Sequence, residues 1–201
     1  MSDAIARLRA ARPALSLRAL DAEPAESLPM LRAGQVDVAI VYEYAYAERS
    51  PADGIVKRHL IDDPMLACLP PSHPAVRDDR VALRDLRGEP FVAGREGSAC
   101  FDFARAACTR HGFEPEVGFQ TDDIGFTCSL VSAGLAVALM PELLLRSTGA
   151  RIYAVPTRPA LPPRRISVAY RASAERLRSV REVIAALETA VAADKASREA
   201  A

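Results

Sequence analysis

Val36-Asp37-Val38-Ala39-Ile40-Val41 is an almost unbroken apolar run. Such runs suit a strand buried on both faces, as in a parallel sheet, because a strand with one wet face alternates apolar with polar residues. A sheet covered on both sides needs helices on each face, so the run points to an α/β fold if helices alternate with strands around it.

They do. Residues 3–11 predict a helix with Ser2 as N-cap and Pro13 as its stop, Ile5 and Leu8 sharing a face. Residues 14–20 carry Leu at alternate positions and read as a strand. Residues 24–33 read as a helix opened by Pro24 and closed by Gly34. Pro29 inside it is a conflict that should kink or shorten the helix. Strands follow at 55–60 and 65–69, then the proline-rich Pro70-Pro71-Ser72-His73-Pro74, a candidate crossover. Residues 83–86 form a single turn, and residues 91–93 a strand. Ser98 caps a helix over 99–110, residues 116–120 are a strand, and Thr121 caps a helix to about Ala133 with Asp122 and Asp123 in its first turn. Residues 135–140 are a second buried strand, Pro141 opens a short helix, and 151–155 is a strand. A second proline-rich connection spans 156–164. A strand over 165–170 and a helix over 174–193 close the pattern, with Leu177, Val180, Ile184, Leu187 and Val191 in one stripe and fraying expected from Asp194. This order suits two α/β lobes joined by two crossovers: residues 1–64 with 165–201, and residues 65–164.

Half of the 201 residues are hydrophobic, enough for a core without disulfides or metals. Lys plus Arg equals Asp plus Glu at 26 each, which argues against a protein that coats nucleic acid. No apolar run approaches the roughly 18 residues of a membrane span, and no secretory signal is visible, so the expected location is cytoplasmic. Cys68, Cys100, Cys108 and Cys128 show no C-x-x-C spacing and no clustered His, so no metal site or cofactor is expected; they read as small buried hydrophobes. Cys100 and Cys108 lie about 12 Å apart along one helix, beyond the roughly 7 Å a disulfide spans.

A catalytic residue is hard to find, because no nucleophile elbow, metal-binding helix motif or phosphate loop is present. An enzyme would have only Cys100 with a distant His. The adjacent pairs Asp62/Asp63 and Asp122/Asp123 point about 100° apart on a helix and read as caps and solubilising charge. The helix starts at Ser98 and Thr121 are more informative. Each follows a strand and combines free N–H groups, a hydroxyl and a positive dipole end, the requirements of an anion-binding site.

Four segments stand in order along the chain: Leu28 through Val41 (LPMLRAGQVDVAIV), the stretch 64–90 containing Ser72-His73-Pro74-Ala75 and Val81-Ala82-Leu83-Arg84-Asp85-Leu86, the stretch 130–141 (LVSAGLAVALMP), and 165–171. Together they resemble the effector-binding domain of LysR-type transcriptional regulators. The resemblance implies two Rossmann-like lobes of the type 2 periplasmic-binding-protein kind, with no catalytic residue. Its effector-facing positions would be Tyr42, Glu43, Ser98, Ala99, Cys100, Thr121, Asp122, Met140 and Pro141. It implies a small organic effector, a carboxylate among the options. It also implies a homodimer or tetramer, with residues 3–11 of one copy against 122–133 of another. DNA would be bound only through a winged helix-turn-helix, which these 201 residues lack together with the family's first effector-domain strand; the chain would be about 100 residues short of a full regulator. The alternative is a stand-alone cytoplasmic binding protein of the same fold. Ala136 replaces a glycine of the family pattern. Cys100 falls near the reactive cysteine of peroxide-sensing members, but its flanking residues differ and that role does not carry over.

Overall fold

The computed structural model describes residues 2–46, 53–71, 73–146, 148–149 and 152–199. The side chain of Ser2, Ser72 and Arg151, which figure in the expectations above, lie outside that set. In chain order the elements are α1 (Ser2–Ala11), α2 (Pro24–Arg32), β1 (Val38–Glu43), β2 (Ile55–Asp63), β3 (Met65–Leu69), β4 (Val76–Arg77), β5 (Arg80–Val81), β6 (Pro90–Ala93), α3 (Ala99–Arg110), β7 (Glu116–Gln120), α4 (Ile124–Ser132), β8 (Ala138–Pro141), α5 (Glu142–Leu145), β9 (Tyr153–Pro156), β10 (Arg164–Arg171) and α6 (Arg178–Glu199). Short 3-10 turns occupy Leu83–Leu86 and Ala172–Ala174.

Two compact units result. Met1–Tyr42, Ser50–Ile61 and Arg165–Ala201 form the first; Glu43–Arg49 and Asp62–Arg164 form the second. Residues 70–74 fall inside the second.

In the first unit the strand order is β1-β10-β2. Alternate residues of each strand face opposite ways, and both faces are covered. Val168 and Tyr170 pack with Ala4, Val180, Ile184 and Leu187, the inner faces of α1 and α6, joined by Val38, Ile40, Val56 and Leu60. Ala39, Val41, Ile55 and Ala169 turn the other way onto Leu28 and Leu31 of α2. The apolar run at 36–41 is thereby explained: its strand is sandwiched between helices.

Helix α2 runs through Pro29 without ending. The missing N–H leaves Ala25 without its intrahelical donor, at a cost of about 3 kcal/mol. Leu28 and Leu31 are 4% and 0% exposed, and burial of each is worth roughly 1.5–3 kcal/mol, so packing outweighs the defect. A reciprocal pair of side-chain contacts between Glu23 and Glu26 also caps the helix start.

Residues 14–20 form no strand. Leu15 and Leu17 are half-buried between exposed neighbours, so the alternation survives in the burial. Among the described residues, however, the segment has no ladder partner, and β1 pairs with β10 alone. Alternation specifies a face; only a neighbouring strand supplies the hydrogen bonds that make it a strand. Helix α6 also departs from expectation. It starts at Arg178, leaving Leu177 50% exposed ahead of it. It continues past Asp194 to Glu199, through an Ala-rich stretch of high helix propensity.

The second unit carries a mixed sheet. Strand β3 pairs antiparallel with β8 on one side and β9 on the other. Strands β6 and β7 pair in parallel, Ala93 opposite Gln120, and a bridge from Phe91 to Val137 joins β6 to the start of the β8 segment. Its core gathers Cys68, Val92, Cys128, Leu130, Val131, Ala138 and Met140.

Candidate functional site

Because β6 and β7 run in parallel, the loops that follow them emerge at the same sheet edge, and α3 and α4 start from those loops. Gly94, directly after β6, is where they meet. A Cβ added there would lie 2.5 Å from Ser98 Oγ, 3.3 Å from Cys100 Cβ and 3.5 Å from Asp122 Oδ1. Only glycine leaves room for these three groups, which come from two helix entries and were expected separately to face a ligand.

Ser98 is the N-cap of α3, and its Oγ accepts from the Phe101 N–H at 3.2 Å. Its hydroxyl hydrogen remains available to a ligand. The N–H groups of Ala99 and Cys100, in the first turn, have no acceptor among the described residues. Asp122 receives Arg95 twice: the Arg95 N–H donates to Oδ1 at 3.3 Å and its Nε to Oδ2 at 3.0 Å. That pairing offsets the carboxylate's charge beside the loop. The Glu96 N–H donates to Gln120 Oε1 at 3.2 Å and ties the loop to β7.

Thr121 does not cap α4. Asp123 does, its carboxylate accepting from the Phe126 N–H at 2.8 Å. The Thr121 N–H donates to the Ala93 carbonyl at 2.9 Å, and its hydroxyl accepts from the Asp123 N–H at 3.1 Å. The sheet claims Thr121 by one extra residue of pairing, which moves the cap two positions on and leaves no acid in the first turn of α4.

Cys100 has a polar surround that no spacing revealed. Its sulfur accepts hydrogen bonds from the Gly94 N–H and the Tyr44 hydroxyl, with Arg164 and Asp122 nearby. Burial pushes the thiol above its usual range despite the donors that favour the thiolate. Burial also pushes the Tyr44 phenol well up, with Cys100 adding to the shift and Arg164 opposing it. Tyr44 packs on Phe103 of α3 with ring centroids 5.4 Å apart, Tyr46 stacks on the same ring at 5.9 Å, and the Arg110 guanidinium lies 4.2 Å above Tyr46.

Arg164 connects this cluster to a buried ion pair. Its Nη2 donates to Asp63 Oδ2 at 2.7 Å, with side chains 7% and 0% exposed. Asp63 Oδ1 accepts from the Leu143 N–H at 3.0 Å. Asp63 is therefore not a solubilising loop charge. Nothing in the sequence joins residues 101 positions apart. The alternating Tyr42, Tyr44 and Tyr46 were the one available hint of an aromatic cluster.

Tyr42, in the first unit, donates its hydroxyl to the Glu23 carboxylate, and Glu43 ends β1 half-buried. Met140 is 6% exposed within the second unit's core, paired with Leu66, and Pro141 pairs with Met65. Cys68, Cys108 and Cys128 are buried free thiols, as read from the sequence. Among the described residues no group of His, Cys, Asp and Glu could hold a metal, and no helix is long and apolar enough to cross a membrane.

Residues 1–192 match the LysR substrate binding domain family. The chain belongs to this family. It is 27% identical over 169 residues to a hydrogen peroxide-inducible genes activator of Dickeya chrysanthemi, covering 83% of this chain and 54% of that protein. It is 34% identical over 97 residues to the transcriptional dual regulator GltC of Bacillus subtilis, covering 48% and 32%. The chain thus spans about half the length, or less, of the curated relatives it matches. The fold is that of LysR effector-binding domains. The BenM effector binding domain with its effector benzoate superposes with a TM-score of 0.80 at 19% identity, covering 97% of this chain and 87% of that one. A reduced form of OxyR from N. meningitidis gives 0.74 at 24%, covering 94% and 87%.

Proposed function

We propose that this LysR substrate-binding domain senses a small organic carboxylate at the Gly94 loop, as the effector-responsive part of a cytoplasmic transcriptional regulator. The observation that carries the reading is the convergence of Ser98, Cys100 and Asp122 on Gly94, where an added Cβ would displace the Ser98 hydroxyl. There the Ala99 and Cys100 N–H groups and the Ser98 hydroxyl offer donors at the positive end of a 12-residue helix. Asp122 would repel an anion if bare, and its exposed salt bridge to Arg95 lessens that repulsion. The thiol of Cys100 stays protonated, so it contributes a polarisable wall and no thiolate chemistry.

A ligand acts on a regulator only as far as it binds one conformation better than another. Within the second unit, the contacts from Gly94 through Cys100, Tyr44 and Arg164 to Asp63 are the part of the structure on which such a preference would act. Reading of DNA is no part of the role proposed for this domain. The reading includes homodimerisation with residues 3–11 of one copy against 122–133 of another, a segment on which Phe126 is 52% exposed.

A thermal-shift screen of aliphatic and aromatic carboxylates tests the assignment. The reading expects at least one saturable hit that Ser98→Ala weakens by about tenfold, the loss of one charge-assisted hydrogen bond. Hits indifferent to Ser98→Ala would contradict it.

A further inference from the structure

Away from the Gly94 loop, the first unit carries a surface depression of about 440 Å³ lined by Arg176, Arg178, Arg181, Glu182 and Ala185. Its charge is lopsided. The single acid, Glu182, is already claimed twice, by Arg178 Nε at 2.9 Å and by Arg12 Nε of α1 at 2.8 Å. Those two guanidinium groups hold its carboxyl below the usual range. Arg176 and Arg181 have no anionic partner among the described residues. Three guanidinium groups therefore line the depression beside one carboxylate, whose Oε1 is shared by Arg178 and Arg12, in a molecule whose total formal charge is zero.

The arrangement opposes the fold's own electrostatics. The arginines sit at the start of α6, whose first turn contains no acid. Cations at the positive end of a helix are unfavourable, and acids are the usual occupants. Arg176 and Arg181 gain no ion pair from this crowding, whereas an incoming anion meets their unclaimed guanidinium forks. Guanidinium forks match the oxygens of a phosphate group two at a time, and an open depression of this size admits several linked phosphates.

We propose that the α6 arginine depression is a second anion site, for a compound bearing linked phosphate groups, separate from the Gly94 loop and independent of the effector reading. Arg176 and Arg181 supply the unclaimed donors, while Arg178 and Arg12 hold Glu182 aside.

Titration calorimetry on the full chain tests this, with sodium tripolyphosphate and a random 20-base-pair DNA duplex as alternative titrants. The variant is Arg176→Ala with Arg181→Ala; both side chains are exposed and unpaired, so circular dichroism should match the parent. The expected result is saturable binding of tripolyphosphate that weakens at least about tenfold in the double variant and falls with added salt. Competition by the duplex would extend the ligand to nucleic-acid phosphodiesters, and its absence would confine it to soluble polyphosphates; either result retains the site. No saturable binding of either titrant, or equal affinity in parent and double variant, overturns the proposal.

Discussion

Gly94→Ala turns the crowding at the loop into a measurable energy. The new Cβ would stand 2.5 Å from Ser98 Oγ, well inside any real carbon–oxygen contact, so the hydroxyl must swing away. It then abandons the Phe101 N–H it accepts from at 3.2 Å. Loss of such a cap costs about 1 kcal/mol, within a range of about 0.5–2, and displacement of a packed loop adds to it. We expect Gly94→Ala to lower stability by about 1–2 kcal/mol in urea unfolding, and Ser98→Ala alone by about 1 kcal/mol. The discriminating measurement is the double variant. Without Oγ the closest contact of the added methyl is Cys100 Cβ at 3.3 Å, tight but without polar consequence. The alanine also reduces the freedom of the unfolded chain, worth about 0.4–1 kcal/mol in the opposite sense. In the Ser98→Ala background, Gly94→Ala should therefore be neutral or slightly stabilising. If its cost is the same in both backgrounds, the convergence of side chains on Gly94 is not what constrains the loop, and the reasoning fails.

Two further outcomes are expected. Arg164→Met strands the fully buried Asp63 carboxylate and should cost about 3–5 kcal/mol, whereas Asp63→Leu with Arg164→Met should recover most of that; a loss below about 1 kcal/mol for the single variant in urea titrations would show the pair to be solvated. Burial raises the thiols of Cys68, Cys100 and Cys108, the last to about 12, and the phenol of Tyr44. Each group binds its proton more tightly folded than unfolded, so its contribution is complete below the unfolded value, about 9 for the thiols and about 10 for the phenol, and is lost as pH climbs above it. The urea midpoint should hold from pH 7 to 8 and fall between pH 9 and 11, and iodoacetamide should label Cys100 negligibly at pH 7; rapid neutral labelling would contradict the assigned burial.

The sequence conveyed those features that depend on short-range patterns. The run at 36–41 announced a doubly covered strand, and Ser98 announced the start of α3, because a cap and its helix lie within four residues of one another. Residues 14–20 misled because alternation names a buried face without naming a partner. Thr121 misled by two positions because the choice between cap and strand was made by Ala93, on a different strand. The Asp63–Arg164 pair and the Tyr44–Cys100 contact were invisible, since each joins segments far apart in the chain and neither residue type carries a signal for its partner. Gly94 gave the clearest case of a residue whose meaning is steric: it read as a loop glycine, and only the atoms around it show that a Cβ would push Ser98 Oγ out of place.

The location of the effector is the central claim, and amide NMR tests it most directly. When a carboxylate identified by thermal shift is titrated into the protein, the largest shift changes should fall on Gly94, Ala99 and Cys100, with the Ser98 amide following and residues 176–185 of α6 unmoved. Changes confined to α6, or spread away from the loop that follows β6, would place the ligand elsewhere and refute the Gly94 site.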